Sequence, residues 1–221
     1  MTRFVYISQL RELRDDVVAM ASMVDKAISR SVQALRQQDV NLAHEVIAAD
    51  HLINSHRWRT EERALLVIAT QAPMASDLRV IAAVISIVTD LERMADHAAG
   101  IAKIVIETSN EPLLKPLVDI PRMADLARQM LADGISAFIE GDEARAREVV
   151  KKDDEVDILY DQIFRELLTY MMADTSTINR ATRLLWAAHN VERIADRTTN
   201  ICERVVFAVT GSLAEIAVAT D

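Results

Sequence analysis

The sequence predicts an all-α fold in which six long helices form two tandem, pseudo-symmetric three-helix bundles. Glycine and proline number only four each among 221 residues, well below their usual shares of about 7% and 5%. So few turn-forming residues suit a small number of long helices better than a many-stranded sheet. Hydrophobic residues make up 51% of the chain, which is enough for a sizeable core. The third observation is an internal repeat.

The two halves of the chain resemble each other in sequence. Residues 90–96 (DLERMAD) recur as residues 190–196 (NVERIAD), and residues 45–50 match residues 148–153. An internal duplication explains both matches. Each half is therefore expected to fold into the same three-helix unit.

A proline-rich segment separates the two repeats. Three of the four prolines lie within residues 109–121, and we interpret this segment as a linker. We assign residues 1–110 to the first repeat and residues 111–221 to the second. The predicted helices are 10–37, 39–70 and 76–108 in the first repeat, and 117–140, 142–172 and 175–210 in the second.

Residues that favour helix ends support these limits. Asp39 and Asp142 follow short turns and are predicted N-caps, because a carboxylate accepts the free amide hydrogens of a first helical turn. Pro73 interrupts the helical pattern. Ser76 is the predicted cap of the third helix, with Asp77 in its first turn, where negative charge favours the helix dipole. Short turns between long helices predict antiparallel neighbours.

Charge and composition exclude several classes of function. The chain carries 34 acidic and 25 basic residues, for a net charge of −9, and it has no cluster of lysine and arginine. Nucleic acid and direct contact with anionic lipid are therefore not expected, since both depend on cationic side chains. The longest uncharged apolar stretch, between Arg79 and Asp90, is shorter than the roughly 20 residues that span a bilayer. A single cysteine and the lack of a signal-peptide pattern lead us to expect a cytoplasmic protein.

Four pairs of polar side chains fall on the predicted apolar faces of their helices. At about 100° per residue, Glu92 and Asp96 share a face with Ile81 of the third helix. The same calculation places three further pairs on the apolar faces of their helices. The four pairs are Asp50/Asn54 and Glu92/Asp96 in the first half, and Asp153/Asp157 and Glu192/Asp196 in the second.

Two explanations compete for these acids, because an uncompensated charge on a core face costs several kcal/mol. The acids could pair with nearby cations such as Arg57, Arg93, Lys103 and Arg193, or lie at the exposed edge of the face. Alternatively, carboxylates from neighbouring helices could converge on a metal ion. Their repetition in both halves favours metal. Oxygen donors with almost no cysteine favour cations such as iron, manganese, magnesium, calcium or zinc.

The two halves differ in their candidate ligands. Asn200 continues the acidic row of the second half, where the first half has Gly100. The Asn54 amide leaves the first half one charge short, and His189 lies one turn from Glu192. We therefore predict that the second half binds metal more tightly.

Four other side chains are given structural roles. Trp58 and Trp186 are predicted to pack in the core or between helices. His97 lies opposite the acidic face and is expected to face solvent. Cys202 is expected to be a buried, inert thiol.

One motif resembles a known family. Residues 71–79 (QAPMASDLR), followed by residues 90–96 (DLERMAD), are similar to the signature of the PhoU family, and the likeness covers essentially the whole chain. It implies two tandem three-helix repeats and metal binding through (Glu/Asp)-x-x-x-Asp motifs. Carried over by position, the implied ligands are Glu92, Asp96, Asp153, Asp157, Glu192, Asp196 and Asn200.

The resemblance also implies a function. Family members are negative regulators of phosphate uptake and of the phosphate-starvation response. The implied partners are the ATPase subunit of the phosphate ABC transporter and its sensor histidine kinase, which would bring the protein to the inner membrane from the cytoplasm. A homodimer is left open.

Two other classes of function are kept as alternatives. One is a carboxylate-bridged metalloenzyme of the helical-bundle type, although the Glu-x-x-His pair used by ferritin-like oxidases is missing from the sequence. The other is a structural helical protein whose acids are salt-bridged. Metal analysis and turnover assays distinguish them from a non-enzymatic adaptor.

Overall fold

The computed structural model describes residues 3–213 and residue 216, and every regular element within them is helical. The prediction of an all-α fold is confirmed. A short 3-10 turn, Thr175–Thr177, precedes the last helix. None of the described helices is long and apolar enough to cross a membrane. The helices are α1 Arg3–Gln37, α2 Val40–Gln71, α3 Ala75–Thr108, α4 Asp119–Glu140, α5 Glu143–Lys151, α6 Asp153–Ala173 and α7 Ile178–Thr210.

Two three-helix bundles lie side by side, which confirms the predicted architecture. Helices α1, α2 and α3 form the first bundle, and α4, α5/α6 and α7 form the second. The two bundles pack through α3 against α7 and through α1 against α4. Large side chains such as Ile87, Met94 and Met130 are completely buried, and each contributes roughly 1.5–3 kcal/mol by leaving water. The division at residue 110 falls between α3 and α4 and stays a prediction, because one core spans both halves.

The fifth predicted helix is interrupted, which corrects the single helix expected over 142–172. At Lys152 the chain makes two tight i→i+3 hydrogen bonds: the Lys152 amide donates to Val149 O at 3.0 Å, and the Glu155 amide donates to Lys152 O at 3.1 Å. Helices α5 and α6 meet at this break. The helix of the first half that corresponds to α5 and α6 together is α2, which runs without interruption.

Helix ends agree with the sequence at some positions and differ at others. The carboxylates of Asp39 and Asp142 cap α2 and α5 by accepting amide hydrogen bonds of 3.0 Å, as predicted. Ser76 is not a cap, because α3 already begins at Ala75. Asp77 lies in the first turn of α3 and accepts a 2.6 Å hydrogen bond from the Tyr6 hydroxyl. That contact ties the start of α1 to α3, and α1 begins at residue 3 instead of residue 10.

Two later helices, α4 and α7, begin two or three residues after their predicted starts. Helix α4 starts at Asp119 instead of residue 117 and includes Pro121 in its first turn, where proline fits because it lacks only an unused amide hydrogen. Residues 175–177 form the 3-10 turn, which Asp174 caps by accepting a 2.9 Å hydrogen bond from the Ser176 amide. Helix α7 follows from Ile178.

The predictions for the tryptophans and His97 are wrong. Trp58 and Trp186 are 69% and 61% exposed, so both side chains lie on solvent-facing sides of α2 and α7. His97 is half-buried, with its Nδ1 3.0 Å from Asn190 Oδ1, since α7 covers that side of α3. Cys202 is buried as expected, and burial raises the pKa of its thiol to about 12.

Ala72 ends α2 in the left-handed conformation, with φ at 46°. A side chain is strained there by roughly 1 kcal/mol, and glycine is not. We expect Ala72→Gly to raise the free energy of unfolding by about that amount, measured by urea denaturation. The matched control is Ala69→Gly, inside the last turn of α2, where glycine should lower stability by about 0.5–1 kcal/mol. Two changes of the same sign would contradict the prediction.

Candidate metal centre

The first acid cluster lies between α2 and α3. Asp50 and Asn54 come from α2, and the Asn54 amide donates to Asp50 Oδ2 at 3.1 Å. The remaining oxygens, Asp50 Oδ1 and Asn54 Oδ1, are buried without a hydrogen-bond partner. Burial first, and then the charge of Asp96 on α3, raise the pKa of Asp50. The sequence-predicted pairs therefore do meet across the two helices.

Cations of the protein itself compensate much of this first cluster. Arg57 places Nη1 3.3 Å from Glu92 Oε1 and Nε 2.9 Å from Glu61 Oε1. Burial and Asp96 raise the pKa of Glu92, whereas Arg57 opposes that rise. Lys103 likewise opposes the rise at Asp50. The ion-pair explanation therefore accounts for a large part of the first half.

The second acid cluster lies between α6 and α7. Burial first, and then repulsion from Asp196 and Asp157, raise the pKa of Asp153 to about 7. Burial and Asp196 raise the pKa of Glu192 to about 7 as well. Asp153 Oδ1 and Glu192 Oε2 are buried and make no hydrogen bond, although His189 Nδ1 lies 3.2 Å from the latter. The carboxylates of Asp157, Glu192 and Asp196 thus all act on the charge of Asp153.

Compensation is weaker in the second cluster. Within residues 3–213 and 216, Arg193 is the one arginine or lysine that forms an ion pair with these carboxylates, through a 2.5 Å contact between its Nη1 and Asp196 Oδ2. Aligning the repeats places Tyr160 where the first half has Arg57, and Glu203 where it has Lys103. This loss of two cations is visible in the sequence once the repeats are aligned, and our sequence reasoning missed it.

Asn200 is engaged outside the acid cluster. Its amide donates to Asp90 Oδ1 on α3 at 3.5 Å, and Arg197 Nη1 lies 3.5 Å from the same oxygen. At the equivalent contact across the pseudo-symmetry, a Cβ on Gly100 would come within 2.9 Å of Asn190 Oδ1. The difference between Gly100 and Asn200 thus fits the packing of α3 on α7, and a role for Asn200 as a metal ligand stays a prediction.

The acids lie at the edge of the core instead of within it, which corrects their predicted burial. Asp96 and Asp157 are exposed, and the other six residues of the four pairs are half-buried. Each helix of a three-helix bundle buries the middle of its apolar face and leaves the border of that face in a groove. The acids occupy that border, facing the grooves between α2 and α3 and between α6 and α7.

The donor chemistry of both grooves fits a hard or borderline cation. Oxygen atoms line them, and four of these oxygens are buried without a partner, an arrangement that is costly unless a cation supplies the missing interaction. In the described part of the chain, however, no three His, Cys, Asp or Glu side chains are already placed together to hold a metal ion. Cation binding would therefore require side-chain rotation.

The fold and the grooves define a class of helical proteins built from two three-helix repeats, each with an acid cluster between its second and third helices. The model of the PhoU domain matches residues 17–105 and 120–205, one segment in each half. The chain belongs to the PhoU family, which confirms the resemblance found in the sequence.

Relatives and solved structures match nearly the full length. The chain is 39% identical over 217 residues to the phosphate-specific transport system accessory protein PhoU homolog of Clostridium acetobutylicum, covering 98% of this chain and 99% of that protein. The protein of the same description from Aquifex aeolicus is 42% identical over 185 residues, with 84% of each chain covered. The crystal structure of PhoU from Pseudomonas aeruginosa has a TM-score of 0.89 at 32% identity and covers 94% of this chain and 100% of that one. The phosphate transport system regulatory protein PhoU from Streptococcus pneumoniae has a TM-score of 0.88 at 32% identity, with coverage of 95% and 99%.

Proposed function

We propose that this chain is a negative regulator of phosphate uptake and of the phosphate-starvation response, acting as a cation-binding adaptor. The observation that carries the proposal is its membership of the PhoU family over both repeats. Relatives are described as accessory or regulatory proteins of phosphate transport. This supports a non-enzymatic role in preference to the metalloenzyme alternative.

The proposed partners are the ATPase subunit of a phosphate transporter and the sensor histidine kinase of the phosphate response. Through them the protein would act at the cytoplasmic side of the inner membrane. The exposed side chains of Trp58 and Trp186 support a docking role, because tryptophan on a rigid helix is a frequent anchor in protein interfaces.

Residues of both clusters would hold the cations. Glu92 and Asp96, with Asp50 and Asn54, are the proposed ligands of the first half; Asp153, Asp157, Glu192 and Asp196 are those of the second. Iron, manganese, magnesium and zinc are the candidate ions. A bound divalent cation supplies positive charge that neutralises the carboxylates.

Cation binding should change the second cluster more than the first, because of the residues that line it. Carboxylates on α6 and α7 repel one another, as the raised pKa values of Asp153 and Glu192 indicate, and this repulsion opposes close packing of the two helices. Relief of the repulsion would stiffen the contact between α6 and α7. We propose that this stiffened second bundle is the form that docks its partners.

Deletion of the gene in its host tests the regulatory role. We expect phosphate-starvation genes to be expressed constitutively at high phosphate, and wild-type protein supplied in trans to restore repression. Complementation with Glu192→Ala/Asp196→Ala should fail if cation binding is required. Normal repression in the deletion strain would overturn the proposed function.

A further inference from the structure

Asp133 on α4 is the most heavily hydrogen-bonded carboxylate next to the second cluster. It accepts hydrogen bonds from Arg145 Nη2 at 2.9 Å, Lys152 Nζ at 2.9 Å and Gln129 Nε2 at 3.2 Å. Its side chain is only 16% exposed. Burial alone would raise the pKa of Asp133, but the bonds from Arg145 and Lys152 outweigh burial and lower it to about 2. Asp133 is thus a fixed negative charge.

Lys152 is the cation that this charge holds. It lies at the break between α5 and α6, directly before Asp153 in the chain. Its ammonium group points to α4, and no ion pair joins it to Asp153 in the described part of the structure. Asp153 meanwhile keeps a buried oxygen, Oδ1, without a partner. The positive charge nearest in sequence to Asp153 is therefore directed to α4.

The first half has no such arrangement. Aligning the repeats places Arg30 at the position of Asp133 and Ala49 at the position of Lys152. Arg30 pairs with Glu45 instead, and α2 continues without a break. Of the two halves, the second combines the acid, the lysine and the break, and its acid cluster is the more weakly compensated one.

We propose that Asp133 is a positioning residue that holds the Lys152 ammonium on α4 and so leaves the charge of Asp153 available to a divalent cation. This inference rests on the proposed cation binding at the second cluster. Without Asp133, the flexible Lys152 side chain is released one residue from a carboxylate that lacks a partner. The Lys152 ammonium would then neutralise part of the negative charge of Asp153, which a divalent cation needs for binding.

The inference is tested by titrating the full chain with Mn²⁺ and measuring the affinity by isothermal calorimetry. We expect Asp133→Asn to weaken Mn²⁺ affinity about tenfold, which is the usual scale for residues that orient metal ligands. The double variant Asp133→Asn/Lys152→Met should bind within about threefold of the wild type, because the released charge is gone. Lys152→Met alone should bind as the wild type does. Asp125→Asn is the matched control, an acid of α4 that is 75% exposed and pairs with Arg128.

The double variant separates charge from structure. If Asp133 only stabilised the break between α5 and α6, the double variant would bind as weakly as Asp133→Asn, and that result would overturn the inference. Unchanged affinity in Asp133→Asn would overturn it too, while leaving the proposed function intact. A wild-type chain that binds no Mn²⁺ overturns the inference together with Mn²⁺ binding at the second cluster, and the deletion strain still tests the regulatory role separately. Thermal melting in chelator checks that each variant folds, and if Asp133→Asn does not, altered affinity in Lys152→Met alone overturns the inference.

Discussion

Replacing Glu192 and Asp196 with alanine is expected to abolish most of the stabilisation that Mn²⁺ gives this protein. At a concentration 100-fold above its dissociation constant, a bound ligand stabilises the folded state by about 2.7 kcal/mol. For a chain of this size that corresponds to a rise in Tm of roughly 5–10 °C. The variant removes two of the four carboxylates of the second cluster, and its Tm should hardly respond to the ion.

The first half provides the matched control. Glu92→Ala/Asp96→Ala removes the equivalent pair, where Arg57 already compensates Glu92. We expect this variant to keep most of the Mn²⁺-dependent rise in Tm. Equal losses in the two double variants would show that the asymmetry between the clusters has no consequence for binding.

Melting in chelator adds an independent test of the same pair. If the second-half acids were structural salt-bridge partners, removing them would lower the Tm without any metal. We expect no such fall, because burial and Asp196 raise the pKa of Glu192 against the opposing charge of Arg193, so its negative charge is unfavourable in the folded chain. A clear drop in chelator would favour the structural-protein alternative.

In chelator, the wild-type protein is expected to become more stable as the pH is lowered from 8 to 5.5. Asp153 and Glu192 have pKa values of about 7 in the folded state, against about 3.9 and 4.3 in the unfolded chain. Between those limits the folded protein binds more protons than the unfolded chain. The free energy of unfolding therefore falls as the pH rises through this window.

The effect is moderated by partial exposure of the two groups. After allowing for screening by solvent, we expect a change of about 1–2 kcal/mol across the window, equivalent to several degrees in Tm. Asp133 does not oppose this trend. Its pKa of about 2 means that its contribution to stability changes with pH only below this range. Scanning calorimetry at several pH values measures the slope.

Asp153→Asn/Glu192→Gln is the variant that isolates these groups. Neutral amides cannot titrate, so the slope should flatten while the shape of the side chains is kept. Saturating Mn²⁺ should reverse the wild-type trend, since protons compete with the cation for the same oxygens. A variant that keeps the full slope in chelator would assign the pH dependence to other groups.

The asymmetry between the clusters gives the two halves different proposed roles. In the first half, Arg57 and Lys103 supply internal compensation, and the bundle is expected to hold its shape without added ions. In the second half, Tyr160 and Glu203 replace those cations, and Asp133 draws Lys152 away. The second bundle is therefore the part of the protein whose stability should follow the supply of cations.

Sequence alone determined the fold class, the repeat and the faces on which the acids lie. Those features depend on helical periodicity, on capping residues such as Asp39 and Asp142, and on the scarcity of glycine and proline. Each is a local property of the chain, and each can be read one helix at a time. The acid pairs were found for the same reason, since the spacing of Glu192 and Asp196 fixes their common direction.

Only the tertiary structure decided which charges face each other. Helical phase gives the direction of a side chain from its own axis, but not the rotation of the neighbouring helix or the rotamers that close a contact. Helical phase places Asn200 in line with Asp196, for example, and the packing of α3 on α7 determines that its amide reaches Asp90. The break at Lys152 and its bond to Asp133 depend on packing against α4. The net charge of a groove is set by what two or three helices bring to it together, and no single helix encodes that sum.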